Sequence, residues 1–109
     1  MQRFGQVIKV KPEKKSRYLE LHSNVWPEVL ATISACNIRN YSIFSWDEYL
    51  FAYFEYVGNN YERDMQKMAD DPITQKWWDE CKPCQEPLST DSLQEWWLNM
   101  TCVFFTSEI

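Results

Sequence analysis

An excess of positive charge is missing from this chain: 11 Lys and Arg stand against 16 Asp and Glu, for a net charge of −5. Nucleic-acid binders gain affinity by neutralising phosphates along a basic stripe, so nucleic acid is not an expected partner. The one basic cluster, Lys9-Val10-Lys11-Pro12-Glu13-Lys14-Lys15-Ser16-Arg17, opens a predicted helix and reads as a solvated face. Long apolar runs are missing too. None approaches the ~20 residues of a membrane span, so no membrane partner is expected. Met1-Gln2-Arg3-Phe4-Gly5-Gln6 lacks the apolar core of a signal peptide, and a cytoplasmic location is expected. Histidine occurs once, at His22, which excludes a conventional multi-histidine metal site. Internal repeats and low-complexity segments are absent, and glycine is scarce, at two residues.

What is there is ordinary in amount and unusual in kind. The 109 residues suit one domain spanning 1–109, with 45% hydrophobic and 25% charged residues. Aromatics reach 17%, with six Trp, six Tyr and six Phe, more than so small a core needs. The surplus points to an aromatic pocket or a large apolar interface. Four cysteines, Cys36, Cys81, Cys84 and Cys102, are expected to be reduced thiols. Cys81-Lys82-Pro83-Cys84 is a C-x-x-C, but it follows the end of a helix. A thioredoxin-type site places the motif at a helix start after a strand. A zinc site would need two further ligands from distant Cys36, Cys102 or His22. Incidental thiols are the simpler reading.

Phe4 to Val10 reads as a strand, with Phe4, Ile8 and Val10 on one face. Lys11-Pro12-Glu13 starts a helix running to His22 or Ser23, with Tyr18, Leu21, His22 and Val25 on one stripe. Pro27 restarts it through Cys36, with Val29, Leu30 and Ile33 buried and Asn37 as the stop. Asn40–Trp46 and Tyr49–Val57 read as strands joined by the short Asp47-Glu48 turn. Tyr61 to Ala69 is predicted helical, with Met65, Met68 and Ala69 inward. Asp70-Asp71-Pro72 then starts a helix ending near Cys81. A loop from Cys84 to Ser92 and a last strand region from Leu93 to Phe105 complete the chain. The order β-α-β-β-α-β predicts an α+β ferredoxin-like sandwich, with helices on one face of an antiparallel sheet. The open aromatic face, including Phe44, Tyr53 and Trp97, predicts a homodimer in which two sheets face each other.

Three groups of residues could carry chemistry. Tyr18 and His22 lie four apart on one helix face, roughly 6 Å apart at Cβ. Imidazole exchanges protons near neutrality and a phenol donates or accepts. Without those roles, the two residues are amphipathic packing at the edge of the sheet. Trp77 and Trp78 point about 100° apart on a helix, so one can pack inward while the other closes over a pocket. An indole face suits the C–H surface of a sugar ring, though two core anchors would have the same spacing. Trp96-Trp97 on a strand would send one ring to each side, which reads as packing or interface.

The run Tyr18-Leu19-Glu20-Leu21-His22-Ser23-Asn24-Val25-Trp26-Pro27-Glu28, then Asn40-Tyr41-Ser42-Ile43, then Trp77-Trp78, resembles the L-rhamnose mutarotases. Their pattern is Y-x-x-x-H-x-x-x-W-P-E, followed by N-Y-x-I and a W-W pair. The resemblance runs from about Phe4 to Trp97. The tail from Asn99 and the segment around Cys81 to Cys84 lie outside its pattern. It implies a dimeric ferredoxin-like α+β fold and interconversion of the α and β anomers of L-rhamnose, or a closely related 6-deoxy sugar, without metal or cofactor. It implies His22 as the catalytic proton donor, and Tyr18, Tyr41, Trp77 and Trp78 as monosaccharide-binding residues.

That chemistry suits these residue types. Ring opening needs a proton delivered to the ring oxygen and one removed from the anomeric hydroxyl, and His22 titrates in the useful range. Tyr18, Tyr41 or a bound water could carry the other proton. Glycoside hydrolysis is disfavoured, because it usually needs two placed carboxylates. Two alternatives are a non-catalytic sugar or small-molecule binding protein and a dimeric α+β-barrel monooxygenase or heme-degrading protein.

Overall fold

The structure, a computed structural model, describes residues 1–89 and 95–107. Strand β1, Gln2–Val10, sends Ile8 and Val10 into the core at 0% and 1% exposure. A short 3-10 turn at Pro12–Lys14 leads into α1, Lys15–His22. Pro27 then opens α2, Pro27–Ala35. Proline has no N–H to give the preceding turn, but its fixed φ suits a first helical position, so one crossover becomes two helices. Asn37, with φ 67°, stops α2 in the left-handed region that asparagine tolerates.

Strands β2, Ile38–Trp46, and β3, Tyr49–Tyr56, form a hairpin whose turn has Asp47 at φ 54°. The second crossover is again two helices. In α3, Tyr61–Asp70, the Asn60 side chain accepts from Arg63 N–H; in α4, Pro72–Cys81, Asp71 caps by accepting from Thr74 N–H. After a 3-10 turn at Lys82–Cys84 come the short strands β4, Gln85–Glu86, and β5, Leu98–Met100. The antiparallel sheet runs β2-β3-β1-β4. β5 joins the same outer edge of β1, with Val7 opposite Leu98 and Gly5 opposite Met100. The final strand of the ferredoxin-like order is therefore present in two pieces. Ile8, Val10 and Leu50 from the sheet meet Tyr18, Leu21, Val29 and Trp77 from the helices, so the helices cover one face.

One irregularity decides which side chains face those helices. Between Arg39 and Ser42 the β2–β3 register slips, and Asn40 has φ 53°. This is a β-bulge, and the extra residue inverts the alternation beyond it. Ile38 is buried on the helix side; after the bulge Tyr41 and Ile43 take that side, and Phe44 and Trp46 are left 65% and 68% exposed on the other. Asn40 Nδ2 donates to Glu55 Oε1 across the pair at 2.7 Å.

Several expectations need correction. Of the strand region from Leu93 to Phe105, only Leu98–Met100 is strand, and residues 101–107 have no regular structure. Leu93 and Ser92 lie outside the described residues. The expected loop from Cys84 contains β4, and Trp96 and Trp97 lie in a bend rather than on a strand. Leu30 is 53% exposed, because Val29 takes the inward position of α2 and the next residue is about 100° further round. In α3, Met65, Met68 and Ala69 are half-buried, and the fully buried residue is Asp64. That carboxylate accepts from Tyr56 O–H at 2.5 Å and Asn37 Nδ2 at 2.9 Å. These bonds hold it below its ordinary pKa of 3.8 despite burial. They tie the end of α2, the end of β3 and α3 together.

Candidate active site

Between the helices and the covered face of the sheet lies a cavity of about 540 Å³, within the range of small-molecule sites. Its wall includes all five residues predicted from sequence. Tyr18 and His22 come from α1, Tyr41 from β2, and Trp77 and Trp78 from α4. Val29, Ile33 and Ile43 make the wall largely apolar, and Lys82 is the one ammonium or guanidinium group along it among the described residues.

His22 is held on three sides. Its ring stacks on Tyr18 with centroids 4.2 Å apart and meets the edge of Trp77 at 5.2 Å. Nδ1 lies 2.9 Å from the Tyr18 carbonyl oxygen. A carbonyl only accepts, so Nδ1 carries the proton and donates it, and Nε2 keeps a lone pair. Burial holds the imidazole below its ordinary pKa of 6.5, although the Tyr18 carbonyl favours the protonated form. At neutral pH His22 is an uncharged base.

Tyr18 is 2% exposed, and burial drives its hydroxyl far above the ordinary value of 10. It stays protonated and can donate a hydrogen bond. Tyr41 is 41% exposed as a whole residue, yet desolvation of its hydroxyl, followed by the nearby Cys81 and Tyr61, pushes it up to about 12. Its ring tilts against Phe54 at 5.4 Å. Trp77, 6% exposed, also packs edge-on against Trp26 at 5.2 Å. Trp78 remains half-buried with Lys82 Nζ 5.4 Å from its ring centre. The W-W pair thus divides into one core anchor and one more accessible ring, both on the cavity wall.

Sequence reasoning missed three other wall residues: Gln85, Trp96 and Trp97. Gln85 is 6% exposed and bonded at both ends of its amide, accepting from Trp96 Nε1–H at 2.8 Å and donating to the Tyr18 hydroxyl at 3.4 Å. A two-residue strand is too short for alternation to reveal. The Trp96-Trp97 pair was a visible signal, but its strand reading directed Trp97 to the open sheet face. Trp97 instead packs against the core cluster beneath the helices.

The cysteines stand apart from this chemistry. Cys81 and Cys84 are buried free thiols, and burial pushes Cys81, on the cavity wall, up to about 12. Such a thiol is a small apolar side chain rather than a nucleophile. Among the described residues no three His, Cys, Asp or Glu side chains gather as a metal-ligand set. An apolar cavity with indole faces, two phenols that stay protonated and one neutral imidazole can hold an uncharged polyhydroxylated ring and move a proton at its edge.

Comparison with known proteins gives one consistent result. The L-rhamnose mutarotase family model matches residues 3–106. An L-rhamnose mutarotase from Oceanobacillus iheyensis is 37% identical over 92 residues, covering 84% of this chain and 88% of the relative. One from Bacillus subtilis is 34% identical over 85 residues, covering 76% and 79%. Among solved structures, an L-rhamnose mutarotase from Formosa agariphila is similar with a TM-score of 0.75 at 23% identity, covering 98% of this chain and 100% of that one. A type-II polyketide cyclase from Streptomyces glaucescens shares the fold with a TM-score of 0.67 at 12% identity, covering 100% and 99%.

Proposed function

The chain belongs to the L-rhamnose mutarotase family, and on that premise we propose that His22 is the proton carrier for opening and reclosing the sugar ring. The enzyme is an isomerase that interconverts the α and β anomers of L-rhamnose. The exchange needs no net gain or loss of protons. Nε2 of His22 takes the proton of the anomeric hydroxyl as the bond between C1 and the ring oxygen breaks. The imidazolium so formed returns that proton to the ring oxygen, which leaves as a hydroxyl. Both oxygens were bonded to C1, so one nitrogen can reach each in turn. C1 turns its other face, and closure runs the same transfers backwards. Tyr18 keeps its own proton and donates a hydrogen bond to the ring oxygen as negative charge develops there. Tyr41 lends a second hydroxyl, and Trp77 and Trp78 shape the wall against the C–H face of the sugar.

The observation that carries this reading is the 2.9 Å contact from His22 Nδ1 to the Tyr18 carbonyl, which leaves Nε2 basic. His22→Asn keeps some hydrogen bonding but cannot exchange protons near neutral pH. Saturation-transfer NMR should show anomer exchange slowed on the order of 10²-fold or more, with sugar binding nearly intact. Wild-type exchange by the folded variant would remove His22 from this role.

We extend the reading to a cytoplasmic homodimer of a single domain spanning 1–109. The exposed Phe44 and Trp46 support a second copy over the open sheet face, and the buried free thiols suit a reducing compartment. Among the described residues no helix is long and apolar enough to cross a membrane.

A further inference from the structure

We propose that Gln85 and Trp96 are positioning residues that aim the Tyr18 hydroxyl proton at the sugar. This rests on the donor role given to Tyr18 above. Trp96 carries an indole N–H that can only donate. Its 2.8 Å bond to Gln85 Oε1 fixes which end of the amide is oxygen, so the amide NH₂ must face the Tyr18 hydroxyl, 3.4 Å away. The amide then occupies a lone pair of the Tyr18 oxygen. Among the described residues that hydroxyl has no protein acceptor, so its proton is left for a group in the cavity.

The amide is seated by pairing with the sheet. Gln85 pairs with Val10 on β1, and the preceding residue, Cys84, accepts from Lys11 N–H at 2.8 Å. Trp96 lies just before β5, which pairs with the same strand at Val7. A phenolic O–H otherwise rotates to suit any acceptor, including water. Donation from a fixed amide removes that freedom before the substrate arrives, and preorganised donors stabilise developing charge without reorganising.

The test is a set of variants in which anomer exchange is measured by saturation-transfer NMR across sugar concentrations. Gln85→Met keeps length and apolar bulk and removes both hydrogen bonds. It should lower kcat on the order of tenfold with KM nearly unchanged. Gln85→Glu should be slower still, because a carboxylate accepts the Tyr18 proton and turns it away from the cavity. Trp96→Phe keeps a ring and loses the N–H, so it should slow kcat in the same direction if Gln85→Met fails to fold. In a Tyr18→Phe background, which should itself be slower than wild type, Gln85→Met should cost nothing further. If Tyr18→Phe is slow but Gln85→Met and Trp96→Phe keep wild-type kcat, the positioning role is wrong and the donor role of Tyr18 stands. Equal loss from Gln85→Met in both backgrounds would make it a packing residue and overturn the proposal. Wild-type kcat in Tyr18→Phe would overturn the donor role, and the positioning role with it.

Discussion

In the proposed mechanism the neutral form of His22 is the working base, and burial keeps its pKa below 6.5. Anomer exchange should therefore be flat around neutral pH and fall as pH drops through a midpoint below 6.5, with Tyr18 contributing no alkaline fall near neutrality. An NMR-detected midpoint above 6.5 would contradict this. The same depression has a stability consequence of definite sign. The unfolded chain binds the His22 proton more readily than the folded one, so stability declines as pH falls from about 6.5 to the folded value. The same residue shows where sequence stopped. Its spacing from Tyr18 was visible as four positions on a helix, but its tautomer was not. The tautomer depends on which oxygen comes to lie 2.9 Å from Nδ1 once the helix is built and the ring is wedged between Tyr18 and Trp77.

At the scale of elements, the bulge in β2 places Tyr41. Asn40 adopts φ 53°, a conformation that costs a β-branched residue most. Asn40→Val should lower unfolding free energy in urea by about 1–2 kcal/mol more than Asn40→Gly does. Both variants lose the bond to Glu55, so the difference isolates the backbone. If the valine variant restores regular pairing instead, Tyr41 rotates to the open face and KM for the sugar should rise. Equal stability of the two variants would show that the left-handed residue is not needed. The element boundaries themselves were legible, because Pro27, the Asp70-Asp71-Pro72 signal and Asn37 act within a single turn. The bulge was not, because a register slip is defined by the partner strand. Alternation carried on from Ile38 without it would have sent Phe44 and Trp46 inward and Tyr41 outward; starting the strand at Asn40, past the slip, left Phe44 on the open face, where it lies.

For the whole molecule, the open face of the sheet carries large exposed aromatic rings. Phe44 and Trp46, at 65% and 68% exposure, share it with Phe51 and Tyr53 of the neighbouring strand. Burying such rings contributes roughly 25 cal/mol per Å², which favours covering this face with a second copy. Sedimentation equilibrium at micromolar concentration should give about twice the 13.2 kDa chain mass. Phe44→Glu with Trp46→Glu should return a monomer that retains its far-UV circular dichroism. A wild-type chain that sediments at 13.2 kDa throughout would remove the face-to-face dimer.

The sequence alone was sufficient for the β-α-β-β-α-β order, the breaks at proline, the net acidic charge and the motif by which the chain resembles its family. Each is a local property: a dihedral preference, a period of two or 3.6, a charge sum or a spacing within one helix or strand. Tertiary structure decided the rest. It made Trp77 the core anchor and left Trp78 more accessible, and it brought Trp97 under the helices. It buried Asp64 of α3 between partners from β3 and the stop after α2, and joined Gln85 to a tyrosine 67 positions away. Those outcomes depend on hydrogen-bond partners and neighbouring surfaces that exist only after the chain has closed on itself. A buried polar group is stable only where its partner arrives, and sequence spacing carries no record of that arrival.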